Sequence, residues 1–85
     1  MTRLLHVHRL PSSTTEYELQ RIFEGVGHVV NCDIVVDGTT RFSKAIGFVE
    51  MGSEEDARRA IDQLNGKELS GRMIQVSDSL RQIST

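Results

Sequence analysis

The feature that most constrains this chain is a repeated change of hydrophobic period. Leu5 and Val7 alternate with His6 and His8, as in a strand with one buried face. Leu19, Ile22 and Phe23 then recur at helical spacing. Two further strands are predicted, one from about residue 28 to 36 through the apolar run that begins at Val29, and one over residues 45–51. A second helical stripe follows in Ala57, Ala60, Ile61 and Leu64, and a last strand is predicted over residues 72–76. The resulting order, β-α-β-β-α-β, is the split βαβ arrangement. It predicts an α+β fold of the ferredoxin-like kind: one four-stranded antiparallel sheet with both helices on one face and the other face open.

Local signals place the boundaries. Pro11-Ser12-Ser13 ends the first strand. Thr15-Glu16-Tyr17-Glu18 reads as a capping box, with the Thr15 hydroxyl on the Glu18 amide. Gly25 and Gly27 are expected to stop that helix in the left-handed conformation. Asp37-Gly38 signals a turn, and residues 39–43 a polar loop interrupted by Phe42. Ser53 is the expected N-cap of the second helix, with Glu54, Glu55 and Asp56 at its positive end. Asn65-Gly66 ends it. Residues 3–77 are read as the domain and 78–85 as a C-terminal tail.

Composition excludes several classes. With 85 residues there is room for one small core. Hydrophobic residues at 38% and charged residues at 26% suit a folded domain. No apolar run suggests a membrane span or a secretion signal, so no membrane association and an intracellular location are expected. Cys32, the one cysteine, cannot form an internal disulfide and reads as a small buried hydrophobe. The net charge of -2 argues against strong non-specific nucleic-acid affinity, although one basic rim on an acidic domain can still hold a phosphate backbone.

Lys44-Ala45-Ile46-Gly47-Phe48-Val49-Glu50-Met51 resembles the RNP1 motif of the RNA recognition motif family. Leu5-His6-Val7-His8-Arg9-Leu10 resembles the RNP2 hexamer of that family, which usually has an aromatic second and an asparagine fifth. Residues 19–27 are similar to the family's first helix and its glycine stop. Residues 60–66, with Gly71-Arg72, are similar to its second helix and the approach to the last strand. The resemblance covers roughly residues 3–77. It implies a sheet on which unstacked RNA bases stack against aromatic side chains. Here only Phe48 keeps the aromatic. Ile46 and His6 stand at the other two stacking positions, Ala45 replaces a glycine, Arg9 an asparagine and Met51 an aromatic.

Strand alternation places Lys44, Ile46, Phe48 and Glu50 on one face of the third strand. With Cys32 and Ile34 turned inward, Asp33 and Val35 face outward, and on the last strand Gln75 and Ser77 do so. The expected RNA-binding residues are His6, His8, Arg41, Phe42, Lys44, Ile46, Phe48 and Gln75. Phe48, Ile46 and His6 meet bases, while Lys44 and Arg41 meet phosphates. Phe42 either supplies a further stacking surface or tucks against the sheet edge. Arg9, Arg72 and Arg81 can add charge at the rim. His6 and His8 share a face, but no further cysteine or histidine lies near in sequence, so no metal or other cofactor is expected. Neither is catalysis, since no phosphate loop or paired-acid constellation is present.

The expected function is therefore a monomeric RNA-binding module for single-stranded RNA, of modest affinity and low sequence specificity. The alternative is a protein-interaction module on the same fold. Some relatives hold a partner tryptophan through an Arg-x-Phe element before the last strand, and residues 66–74 contain none. The other alternative to RNA on the sheet is that the tail covers it with Leu80 and Ile83.

Overall fold

The computed structural model describes residues 2–11, 13–36 and 45–79. Its elements are β1 (Leu4–Leu10), α1 (Glu16–Glu24), β2 (Val29–Val36), β3 (Ala45–Met51), α2 (Glu54–Leu64), β4 (Glu68–Leu69), β5 (Arg72–Met73) and β6 (Gln75–Asp78). Four strands form one antiparallel sheet in the order β2-β3-β1-β6. Both helices pack on one face of it, which is the predicted α+β, ferredoxin-like architecture.

The apolar stripes meet as the periodicity requires. Leu5 and Val7 of β1, Val49 and Met51 of β3 and Val76 of β6 point toward the helices. They bury against Leu19 and Phe23 of α1 and Ala57, Ala60 and Leu64 of α2. Each large side chain among them stabilises the fold by about 1.5–3 kcal/mol. Cys32 and Ile34 also turn inward, half-buried at the margin of this core. Gly47 is the close approach between layers. A Cβ there would lie 2.7 Å from Leu19 Cδ2 and 3.1 Å from Leu10 Cδ1.

Both helices start at the predicted caps. The Thr15 hydroxyl accepts from the Glu18 amide at 3.1 Å, and the Ser53 hydroxyl from the Asp56 amide at 3.1 Å. The stop of α1 differs from the expectation. Gly25 is right-handed (φ -67°), and Gly27 is not at positive φ either. Gly27 serves contact instead, because a Cβ there would sit 2.8 Å from Asp56 Cβ. Asp56 Oδ2 accepts from the His28 amide (3.2 Å), and Arg59 ties Asp56 to the Val26 carbonyl. The left-handed glycine follows α2, at Gly66 (φ 86°).

The predicted last strand, 72–76, is in fact two pieces. Arg72 and Met73 pair with Leu69 and Glu68 in a separate hairpin. Its two-residue turn, Ser70-Gly71, has positive φ at both positions (49° and 84°), as a type I′ turn requires. The sheet strand starts only at Gln75 and continues to Asp78. Asp78 is buried, and its carboxylate accepts from the amide and hydroxyl of Thr2, tying the two ends of the domain together. Among the described residues no helix is long and apolar enough to cross a membrane.

Candidate nucleic-acid interface

The face of the sheet away from the helices is built by alternation. β1 contributes Leu4, His6 and His8, and β3 contributes Ile46, Phe48 and Glu50. The flanking strands add Asn31, Asp33 and Val35 on one side and Gln75 and Ser77 on the other. Register makes direct neighbours of His6 and Phe48, of Ile46 and Val35, of Asp33 and Phe48, and of His8 and Gln75. Five of the eight expected residues, His6, His8, Ile46, Phe48 and Gln75, thus share one surface. Arg41, Phe42 and Lys44 lie outside the described residues, as do Leu80, Arg81 and Ile83.

At the centre of this surface the rings of His6 and Phe48 are 4.9 Å apart and inclined at 83°. His8 continues the row, 6.1 Å from His6 and tilted by 68°. Perpendicular rings cannot both lie flat against one continuous base stack. They suit bases splayed apart, each resting on its own side chain. Ile46 and Phe48 are half-buried, while Val35 is 55% exposed beside them.

The charge around these rings is mixed. Burial lowers the pKa of His6 below its ordinary 6.5, and His8 lowers it further, against a smaller opposing pull from Asp78. His6 is therefore a neutral ring at pH 7, and offers a face rather than a cation. Asp33 stands next to Phe48, and Glu50 lies 3.8 Å from Arg3 in an exposed pair that contributes little stability. Carboxylates here can accept from the amino groups of bases but repel phosphates. A phosphate therefore meets less repulsion at the rim than at this centre. His8 Nε2 is shielded from water and has no hydrogen-bond partner among the described residues, which costs stability.

Asn31 and Leu4 extend this surface by plain alternation from Asp33 and His6, and the departure from strict alternation comes one residue earlier in β2. A bulge between Val29 and Asn31 resets the alternation of β2, turning Val29 inward and leaving Val30 54% exposed. Strict period-two counting does not foresee such a reset. A second irregularity between Val7 and Leu10 puts Arg9 at φ 63°, a left-handed position. The sequence carried one hint of it, since the corresponding RNP2 position is usually asparagine, which tolerates that conformation. Among the described residues no group of three or more histidine, cysteine or acidic side chains is arranged to hold a metal ion.

The profile described as RNA recognition motif matches residues 5–75. The chain is 41% identical over 73 residues to the RNA-binding protein CP33, chloroplastic, of Arabidopsis thaliana, covering 86% of this chain and 22% of that protein. It is equally similar, over 73 residues, to a Sex-lethal homolog of Megaselia scalaris, covering 86% of this chain and 23% of the relative. The chain thus spans less than a quarter of the length of either. Among solved structures, the Rna15 RRM with bound RNA (GU) superposes with a TM-score of 0.81 at 28% identity, covering 93% of this chain and 84% of that one. A Sex-lethal protein–RNA complex superposes with a TM-score of 0.83 at 34% identity, covering 93% and 47%.

Proposed function

The chain belongs to the RNA recognition motif family, an RNA-binding module, and from that premise we propose that it holds single-stranded RNA across the open face of its sheet, with modest affinity and low sequence specificity. The observation that carries this reading is the juxtaposition of Phe48, His6 and Ile46 on a surface the core does not need. The Phe48 ring accepts any base, and a base–aromatic stack is worth roughly 1–3 kcal/mol. His6 offers a second ring and Ile46 an apolar contact without ring stacking. Gln75 and Asp33 can bond to base edges. Lys44 and Arg41 are assigned to phosphates, and Phe42 to a further base.

The same features limit affinity. One aromatic at three stacking positions, with Asp33 and Glu50 close by, gives fewer strong contacts than three rings on a basic surface. The module acts as a monomer in this reading. The outer edge of β2 is blocked, because Cys32 and Ile34 donate their amides to Asn31 Oδ1 and Glu16 Oε2 rather than offering them to another strand.

Fluorescence anisotropy of labelled U-, A-, C- and G-rich single strands tests the reading. Binding should weaken with salt, and Phe48→Ala should lower affinity by roughly 1–3 kcal/mol. No binding of any strand at high protein concentration and low salt would reject it. A protein partner on the same face is the second reading, favoured by the exposed Val35 and the acidic residues beside it.

A further inference from the structure

Beyond the sheet face, at the end of β1, a cleft of about 450 Å³ opens between the β1 irregularity and the β4–β5 hairpin. Arg9, Arg72 and Met73 line it, with Gly71 at the turn of the hairpin. Gln75 lines it too, and Gln75 is also the neighbour of His8 on the open face. The cleft is therefore continuous with the surface already described.

The walls are fixed rather than fortuitous. Asn65 Oδ1 accepts from the Val76 amide at 3.0 Å, pinning the end of α2 to β6. Gly66 donates to the Ile74 carbonyl (2.8 Å) and Ile74 to the Lys67 carbonyl (2.9 Å), so the base of the hairpin is closed by backbone bonds. Neither Arg9 nor Arg72 has a carboxylate partner among the described residues. Two guanidiniums without a carboxylate partner among the described residues, in a domain of net charge -2, make a local positive site, and Met73, 60% exposed, gives it an apolar wall. Guanidinium matches phosphate geometry, and an exposed thioether is an adaptable contact for a flat ring.

We propose that this cleft is an additional nucleotide subsite of the same RNA strand. One phosphate lies between Arg9 and Arg72, and the attached nucleoside rests against Met73 and Gln75. The proposal depends on RNA occupying the sheet, since the strand reaches the cleft past His8 and Gln75. It also accounts for an acidic domain's use of RNA: the acidic centre takes bases, and the arginines at its end take the backbone.

The test compares a short strand of about four nucleotides, enough for the two or three bases a sheet of this kind stacks, with strands lengthened by about two nucleotides at either end. The homopolymer that binds the sheet best supplies the sequence. Arg72→Gln and Arg9→Asn are measured singly and together; asparagine is chosen because it tolerates the backbone at position 9. Lengthening at one end should tighten binding roughly tenfold. The double variant should lose that gain and flatten the slope of log K against log salt by about 0.7, the value for one phosphate contact on a single strand. Short-strand affinity should be unchanged in all three variants. If the short strand binds but neither extension tightens binding, or if the gain survives both substitutions, the cleft is not a subsite. If the short strand itself fails to bind, RNA on the sheet is wrong and the subsite falls with it.

Discussion

His6 and Phe48 face each other across β1 and β3 with their rings 4.9 Å apart and 83° from parallel. The pair is a joined platform, so each ring limits how the other can turn. Replacing His6 by alanine removes one platform and frees Phe48 to reorient. His6→Ala should weaken single-strand binding by about 1 kcal/mol, the low end for an aromatic stack. His6→Phe should strengthen it severalfold, because a phenyl ring carries no desolvated nitrogen. Titration calorimetry on the two variants checks the order. Equal affinity in all three proteins would remove His6 from the interface.

His6 also gives the fold a pH dependence whose sign follows from its environment. Burial and the neighbouring His8 hold its pKa below 6.5 in the folded chain, with Asp78 opposing. The unfolded chain takes up a proton near 6.5 while the folded chain resists until lower pH. The stability associated with neutral His6 is thus present above that value and is lost as pH falls through it, levelling off below the folded pKa. Melting curves from about pH 8 to about pH 5 should show a fall in Tm that is shallower in His6→Gln. Parallel curves for the two proteins would contradict this.

Glu16 protects the outer edge of β2 in two ways. Its carboxylate accepts from the Ile34 amide at 3.3 Å. It also helps to push the Cys32 thiol up to about 11, after burial and ahead of Asp33. Relative to a thiol at 9.0, that two-unit rise leaves about a hundredfold less thiolate near neutrality. Cys32 should alkylate correspondingly slowly. Glu16→Gln should speed alkylation severalfold by removing the charge. Glu16→Ala should in addition accelerate hydrogen exchange at the Ile34 amide and cost about 0.5–1 kcal/mol, since the bond is exposed. Unchanged exchange at Ile34 in Glu16→Ala would show that the bond is not maintained in solution.

Much of this was legible in the sequence, and the exceptions share a cause. Leu5 and Val7 against His6 and His8, the caps at Thr15 and Ser53, and the inward turn of Cys32 all follow from period and local chemistry. The β4–β5 hairpin did not, because strands of two residues each are shorter than any periodic signal; only Ser70-Gly71 hinted at a turn. Gly27 has the sequence context of a left-handed stop, but its true reason, the approach of Asp56 from the other helix, is tertiary. The cleft beside Arg9 was invisible for the same reason, being made by that unforeseen hairpin. The register of His6 against Phe48 needed the strand order and the pairing together.

Gly47 makes a sharper claim about the RNP1-like strand. A methyl group there meets Leu19 Cδ2 at 2.7 Å, Leu10 Cδ1 at 3.1 Å and Val7 Cβ at 3.4 Å, all in the core. Gly47→Ala should destabilise by about 1–3 kcal/mol through overpacking. Urea denaturation should show a lower midpoint with an unchanged m-value. A midpoint equal to that of the original chain would mean that the Leu10 and Leu19 side chains swing aside without loss.

Arg9 sets stability against binding at one residue. Its φ of 63° is a conformation that costs a non-glycine residue roughly 1–2 kcal/mol and that asparagine adopts more readily. Arg9→Asn should therefore raise stability, by a few tenths to about 1 kcal/mol in urea denaturation. The same substitution removes one of the two guanidiniums of the cleft, so it should lower affinity for the longer RNA strand and leave the shorter one unaffected. The strain would then be retained for the charge it places at the end of the sheet, in keeping with the tendency of strained backbone to collect at functional sites. A stabilised Arg9→Asn with full affinity for the longer strand would leave the strain without a functional reason. A destabilised one would mean that the arginine stem contributes packing greater than the strain it carries.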